Sequence, residues 1–388
     1  MAGKSRPELW GKALNDLRAS KMISGRKDDP LSLLKVSYDY LQNPAWQECL
    51  LLCALWPEDF EIPEDVIIEC WMGHGLLGDF NNMEEAYANG YEIVDGLHKA
   101  SLLEYSEDEY LRGVVRLHDL IRDMALWVAS GGKGKKWVVL SGVDGASDEA
   151  LRDKMLWREA HKISLMYNLW LQRLPPDISA PNLVTLVIDY CGIGLLSYGL
   201  GSIQNFRNLT FLDLSSNVLG GIPVEICRLS KLEYLNLSAN LSISSLPREL
   251  EDLKRLKYLL LSNTAISEAP RELFSSMDSL EVLDLSSSLK KISQGSIINN
   301  NLDGLKGRLK GLGINACSRR DIDKLGELSV PITRLVRWIT EYETGPSLDL
   351  LPRRKHPRDP TWSNMIHLGV VGRVGLSGPE TAGPSIGR

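Results

Sequence analysis

Few residues in this chain are of types and spacings that could do chemistry. Gly3-Lys4-Ser5 has the ending of a phosphate loop, but that motif needs a strand and an earlier glycine five residues before its final one, and neither precedes it. His118-Asp119 places an imidazole beside a carboxylate at the start of an amphipathic stretch, where the pair also reads simply as a helix opening. Six cysteines (Cys49, Cys53, Cys70, Cys191, Cys227 and Cys317) are scattered without a CxxC pair, which favours reduced, buried thiols over disulfides or zinc. No Ser/His/Asp or Cys/His arrangement and no metal-ligand spacing can be argued, so binding rather than catalysis is expected. Asn208-Leu-Thr210, Asn236-Leu-Ser238 and Asn240-Leu-Ser242 match the glycosylation pattern, and with Gly220-Gly-Ile-Pro223 they raise the alternative of an extracellular binding protein.

The elements that must position these residues announce themselves by period. Leu209-Thr-Phe-Leu212-Asp-Leu214 recurs as Leu232-Glu-Tyr-Leu235-Asn-Leu237, Leu256-Lys-Tyr-Leu259-Leu-Leu261 and Leu280-Glu-Val-Leu283-Asp-Leu285, at steps of 23 or 24 residues. That is the period of a leucine-rich repeat, whose coils bury their leucines only by stacking on one another. Ile163 and Leu165, Leu186 and Ile188, and Leu312 and Ile314 extend the register on both sides, and Ile332 to Leu335 begins a further coil. Asn217 and Asn240 are expected to bond the backbone of the next turn, with Cys191, Thr264 and Ser288 in that position elsewhere. Leu-Pro or Ile-Pro pairs at 222–223 and 246–247 start the return path, where proline is tolerated.

Strand alternation turns Phe211, Tyr234, Tyr258 and Val282, then Asp213, Asn236, Leu260 and Asp284, onto the concave face. These eight residues are the candidate protein-binding surface, because aromatics dominate interface energetics. Stacking on their own neighbours is the competing role.

Ahead of the repeats the pattern is helical. Asp29-Pro30 opens one helix and Trp46 to Leu55 forms a second. Pro63-Glu64-Asp65 starts a third with acids in its first turn, and Met83 to Lys99 is a fourth. Two extended runs, 101–105 and 113–117, make a hairpin, and helices followed by a hairpin predict a winged helix. Its wing carries Glu107, Asp108 and Glu109, and the net charge is −6, so a nucleic-acid role is disfavoured. No apolar run is long enough for a signal peptide or a membrane span.

Three stretches resemble plant intracellular disease-resistance receptors of the coiled-coil, nucleotide-binding, leucine-rich-repeat type. Cys49-Leu-Leu-Leu-Cys-Ala-Leu-Trp-Pro-Glu-Asp59 is similar to a signature of their winged-helix (ARC2-like) part. Val115-Arg-Leu-His118-Asp119 looks like their Met-His-Asp motif, with Leu117 in place of methionine, and the Leu-Asp-Leu-Ser strands complete the set. The resemblance implies an ADP/ATP switch in which His118 and Asp119 sense the nucleotide phosphates, while the repeats recognise a pathogen effector or a guarded host protein. It further implies a cytoplasmic location. The family's coiled coil, phosphate loop and Walker B aspartate have no counterpart here, so the expectation is an amino-terminally truncated receptor that binds little nucleotide alone. The alternatives are a stand-alone repeat module and a non-functional truncated product.

The expected layout is an α+β multidomain chain: a residual helix and linker over 1–27, a winged helix over 28–130, a linker over 131–158, an α/β solenoid over 159–340, and an aperiodic, disordered tail over 341–388. Expected partners are proteins, including the missing nucleotide-binding domain, with no nucleic acid and no membrane span.

Overall fold

The computed structural model describes residues 30–108, 112–131, 136–142, 151–169, 171–193, 200–287, 294–305, 307–327 and 332–337. The segments expected as residual helix (1–27) and as disordered tail (341–388) lie outside the described residues, as do Gly3-Lys4-Ser5 and Ser288.

Four helices open the fold: α1 (Pro30–Asp39), α2 (Pro44–Cys53), α3 (Glu64–Gly73) and α4 (Met83–Lys99). Asn43 caps α2 by accepting from Ala45 N at 2.9 Å, and Asn82 caps α4 by accepting from Glu85 N at 2.9 Å, each satisfying an amide that the helix start leaves free. Between α2 and α3 lies a two-residue strand, β1 (Ile62–Pro63), so Pro63, expected to start the third helix, precedes it instead. The strand pairs antiparallel with β3 (Gly113–Arg116), which pairs in turn with β2 (Glu104–Glu107), so the wing has three strands rather than two. Helix α5 (Asp119–Ser130) closes the domain against α1 and α2. Trp71 is fully buried at its centre, and its indole donates to the Cys49 carbonyl at 3.0 Å.

The solenoid begins inside the segment expected to be linker. Lys136–Val139 forms β4, parallel to β5 (Ala160–Ser164), and a short helix α6 (Lys154–Glu159) leads into β5. The physical reason is burial: the glycines and lysines before it look linker-like, but Val138 joins the solenoid interior at the otherwise open first coil and Trp137 packs into the winged-helix core. Trp157 is also fully buried and stacks on Phe206 at 5.7 Å. The remaining strands are β6 (Thr185–Val187), β7 (Phe211–Asp213), β8 (Tyr234–Asn236), β9 (Tyr258–Leu260), β10 (Val282–Asp284), β11 (Gly311–Ala316) and β12 (Ile332–Arg337). Together with β4 and β5 they form one sheet of nine parallel strands in sequence order. Helices α7 (Gly295–Asn300) and α8 (Arg319–Glu327) occur only in the late coils; earlier returns use 3-10 turns, such as Ile226–Arg228 and Arg248–Asp252, just after Pro223 and Pro247.

Register follows the leucines: Leu186, Leu212, Leu235, Leu259, Leu283 and Leu312 are partners from strand to strand and all are fully buried. The asparagine ladder runs opposite to expectation. Asn217 Nδ2 donates to Ile188 O at 2.6 Å in the preceding coil and to its own Leu214 O at 3.0 Å; Asn240 repeats this with Leu214 O and Leu237 O, both at 2.9 Å. Cys191 takes the position with its thiol on Leu165 O at 2.9 Å, whereas the Thr264 hydroxyl reaches Leu261 O in its own coil. The carbonyls that need donors are those already laid down behind each turn, which sets the direction. Five cysteines are buried, Cys317 is partly so, and all six are free.

Candidate functional site

The concave face is where the two domains meet. The first expected column lies in register across β7 to β10, and its rings stack. Phe211 and Tyr234 are 4.1 Å apart and 3° from parallel, and Tyr234 lies 6.1 Å from Tyr258. The neighbour stacking foreseen for this column is thus present. The column is not a free surface, however. Phe211, Tyr234, Tyr258 and Val282 are at most 6% exposed and belong to the apolar core of the winged helix rather than to that of the solenoid.

The cover is the carboxyl end of α3. Gly73 lies against the rings so closely that a Cβ there would run into Tyr234 and stand 2.7 Å from Phe211 Cε2, so only glycine fits. His74 stacks on Phe211 at 4.2 Å. Its Nδ1 lies 2.9 Å from the Cys70 carbonyl, which can only accept, so Nδ1 carries the proton; Nε2 is then left to accept from the Thr185 hydroxyl at 3.1 Å. Burial, aided by the charge of Lys162, lowers the His74 pKa to about 3, which keeps this neutral tautomer in place.

Polar contacts flank the rings. Lys162, on β5, is buried 3.7 Å from Glu48 of α2 and 5.1 Å above the Trp137 ring. At the other end of the sheet, Met83 N donates to Lys310 O at 3.2 Å, and the Lys310 ammonium, paired with Glu281 at 2.9 Å, sits over Phe80. Phe60 and Tyr167 make a further contact at 5.3 Å.

The second column is a hydrogen-bonded chain beside the rings. Asp213 accepts from Ser215 N at 2.9 Å, from Ser215 Oγ at 2.6 Å and from Asn236 Nδ2 at 3.1 Å, and Ser215 Oγ also reaches Asp189 at 3.0 Å. Burial first and the Asp189 charge second push Asp213 up to about 7. Asp284 is buried and accepts from Ser286 N and Oγ at 2.9 and 2.6 Å, and Leu260 is buried as well. Of the eight expected contact residues, only Asp213 and Asn236 keep part of their surface open.

His118 and Asp119 lie elsewhere, at the start of α5. His118, not Asp119, is the cap: its Nδ1 accepts from Leu120 N at 3.3 Å. That leaves Nε2 to carry the proton on an exposed ring, available to an anion. Asp119 Oδ1 is buried without a hydrogen-bond partner among the described residues, and a carboxylate there repels phosphate. One imidazole N–H beside a carboxylate does not make a triphosphate cradle. Among the described residues no group of three or more His, Cys, Asp or Glu could hold a metal, and no helix is long and apolar enough to cross a membrane.

Sequence reading missed Gly73, His74, Thr185 and Lys162. Gly73-His74-Gly75 looked like a helix stop, and Thr185 and Lys162 like ordinary strand residues; nothing in their spacing says that another domain approaches them.

Comparison with known proteins agrees with this two-part architecture. The family described as "Disease resistance protein Winged helix domain" matches residues 55–125, and "Leucine rich repeat" matches residues 207–266. Disease resistance protein RFL1 of Arabidopsis thaliana is 29% identical over 97% of the chain and 45% of its own length. Disease resistance protein RPS5 of the same plant is 34% identical over 68% of the chain and 29% of its own length. The chain thus spans less than half the length of these curated relatives. Among solved structures, the leucine-rich-repeat protein LIC12759 of Leptospira interrogans is 24% identical over 46% of this chain and 45% of its own, at a TM-score of 0.33. The chain joins a winged helix to a leucine-rich-repeat solenoid, and over these two parts it is similar to plant disease-resistance proteins.

Proposed function

We propose that this chain is the sensing and restraining part of an intracellular plant immune receptor, acting by binding rather than by catalysis. The winged helix occupies the concave face, and an effector or a guarded host protein is read when it competes for or disturbs that contact. The observation that carries this reading is the seam itself, where the glycine-only approach of Gly73 and the stacking of His74 on Phe211 fill the surface that solenoids use for partners. Release of this contact would bare Phe211, Tyr234, Tyr258 and Val282, which share the apolar core of the winged helix, while the solenoid keeps a separate interior of its own.

The test is Gly73→Val, which places two methyl groups where the rings lie. Small-angle scattering should report an expanded molecule, and amide exchange should rise at 185–187, 211–213 and 234–236 while both domains stay folded. A compact Gly73→Val protein with unchanged exchange would rule the restraining role out.

For nucleotide, the proposed role of His118 is a single phosphate contact that needs a phosphate cradle from outside the described residues. Titration calorimetry of this chain with ADP or ATP should give no measurable heat at micromolar concentrations; a micromolar affinity would overturn this. The cytoplasm is the location that fits this reading, and a glycan-dependent gel shift would instead favour the extracellular alternative.

A further inference from the structure

Beside the aromatic column, three side chains are joined in a way that fixes a proton count. The Ser215 hydroxyl lies 2.6 Å from Asp213 Oδ1 and 3.0 Å from Asp189 Oδ1. A hydroxyl has one hydrogen to give. Once it is donated to one carboxylate, the contact with the other needs a hydrogen from that carboxyl, because two oxygen lone pairs at this distance repel. The other acceptor positions are already served. Asp213 takes Ser215 N at 2.9 Å and Asn236 Nδ2 at 3.1 Å, and Asp189 takes the Ser216 hydroxyl and the Tyr190 amide. One added proton completes the set, whereas two ionised carboxylates leave it one hydrogen short.

The surroundings favour that proton. The Asp213 charge is felt by Cys70 of α3 and by Tyr234 of β8, and the Asp189 charge by Tyr167 and Cys191, all groups that are neutral or become negative. From the winged helix, Glu69 of α3 adds a carboxylate that accepts from the Tyr87 hydroxyl of α4 at 2.7 Å. Lys162 of β5, whose charge reaches Cys70 and His74, is paired with Glu48 of α2. Burial pushes both carboxyls up, and the Asp189 charge carries Asp213 further, to about 7.

We propose that Asp189, Ser215 and Asp213 share one proton while α3 is docked, and that loss of this proton to solvent loosens the winged helix from the repeats. This regulation rests on the restraining role proposed above. With the proton gone, two carboxylates stand against each other beside the rings, and withdrawal of α3 lets water reach Asp213, where the second charge costs less. The docked pair therefore keeps its proton to a higher pH than the undocked pair. Its contribution to docking is full below the ordinary carboxylate range and is lost as pH rises to about 7.

Amide exchange of the full chain at 185–187 and 234–236 tests this, with wild type, Asp213→Asn and Asp189→Asn compared at pH 6 and pH 8. Either amide ends the need for a shared proton, and the Asp189→Asn side chain can still donate to Ser215 Oγ. Taking the ratio of wild type to variant removes the pH dependence of exchange itself and the opposing contribution of His74. Against each variant the ratio should rise about tenfold from pH 6 to pH 8, as expected for one proton held near pH 7 in the docked state only. A ratio that stays flat against both variants would overturn the proton link, and one that stays flat against Asp189→Asn alone would leave the proton on Asp213 and overturn the sharing. Gly73→Val separates the two roles. If it opens the seam while the ratio is flat, the proton link falls and the restraining role stands; if it leaves the seam closed, both fall.

Discussion

Leu235 and Tyr234 are neighbours in β8 and both are buried, but Leu235 faces the solenoid interior and Tyr234 faces the winged helix. The two sides of this one strand are built differently. The interior repeats itself, with a leucine at the same register in six successive strands and a side-chain donor behind most turns. The seam joins a column that does repeat, Phe211, Tyr234, Tyr258 and Val282, to residues that occur once: Gly73, His74, Lys162 and Thr185, with neutral imidazole, a buried ammonium and a carboxylate among the rings. Repetition makes the interior permanent, since each coil is held by two others. At the seam the unlike groups set where α3 docks on the column.

The largest effect should come from breaking the interior. Leu235→Ala deletes a fully buried side chain and should cost about 2–5 kcal/mol, seen as a lower denaturation midpoint of the solenoid. If it loosened only the winged helix, the division between interior and seam would be wrong.

The next sharpening is by pH. Asp213 has its pKa raised to about 7 by burial, so its contribution is full below the usual carboxylate range and is lost as pH rises toward 7. His74 has its pKa lowered to about 3, so its contribution is full above 6.5 and is lost as pH falls toward 3. Across the range they share, the two oppose each other and the wild-type profile is flattened. Asp213→Asn should abolish the alkaline loss and leave a protein whose stability falls steadily on acidification below 6.5, measured by denaturant titration from pH 4 to 8. A profile unchanged by Asp213→Asn would show that Asp213 does not carry the alkaline loss.

The smallest effect is expected at His118. Removing the cap in His118→Ala should cost about 0.5–1 kcal/mol of winged-helix stability and leave exchange at 185–187 and 211–213 as it was. A change at those strands would connect the α5 cap to the seam through the contact of α5 with β4.

Much of this was legible in advance for a physical reason: the repeat period, the leucine register and the hairpin behind the helices are local patterns, and local patterns survive in one dimension. Helix α4 was bounded correctly at Met83 and Lys99 because Asn82 and the apolar stripe mark it. Strand β1 was not, because two residues carry no period and exist as a strand only through β3. Strand β4 was hidden among glycines and lysines because its role, covering the first coil, depends on what it lies against.

The sequence by itself determined the coils, their inward leucines and the likeness to disease-resistance proteins, because each is written in spacing or motif. Only the tertiary structure decided which way the ladder bonds run, that the aromatic column is covered by α3, and that His74 rather than His118 touches the repeats. Those outcomes depend on which surfaces come together across more than a hundred residues of chain, as in the bond from His74 to Thr185. No local pattern records such an approach.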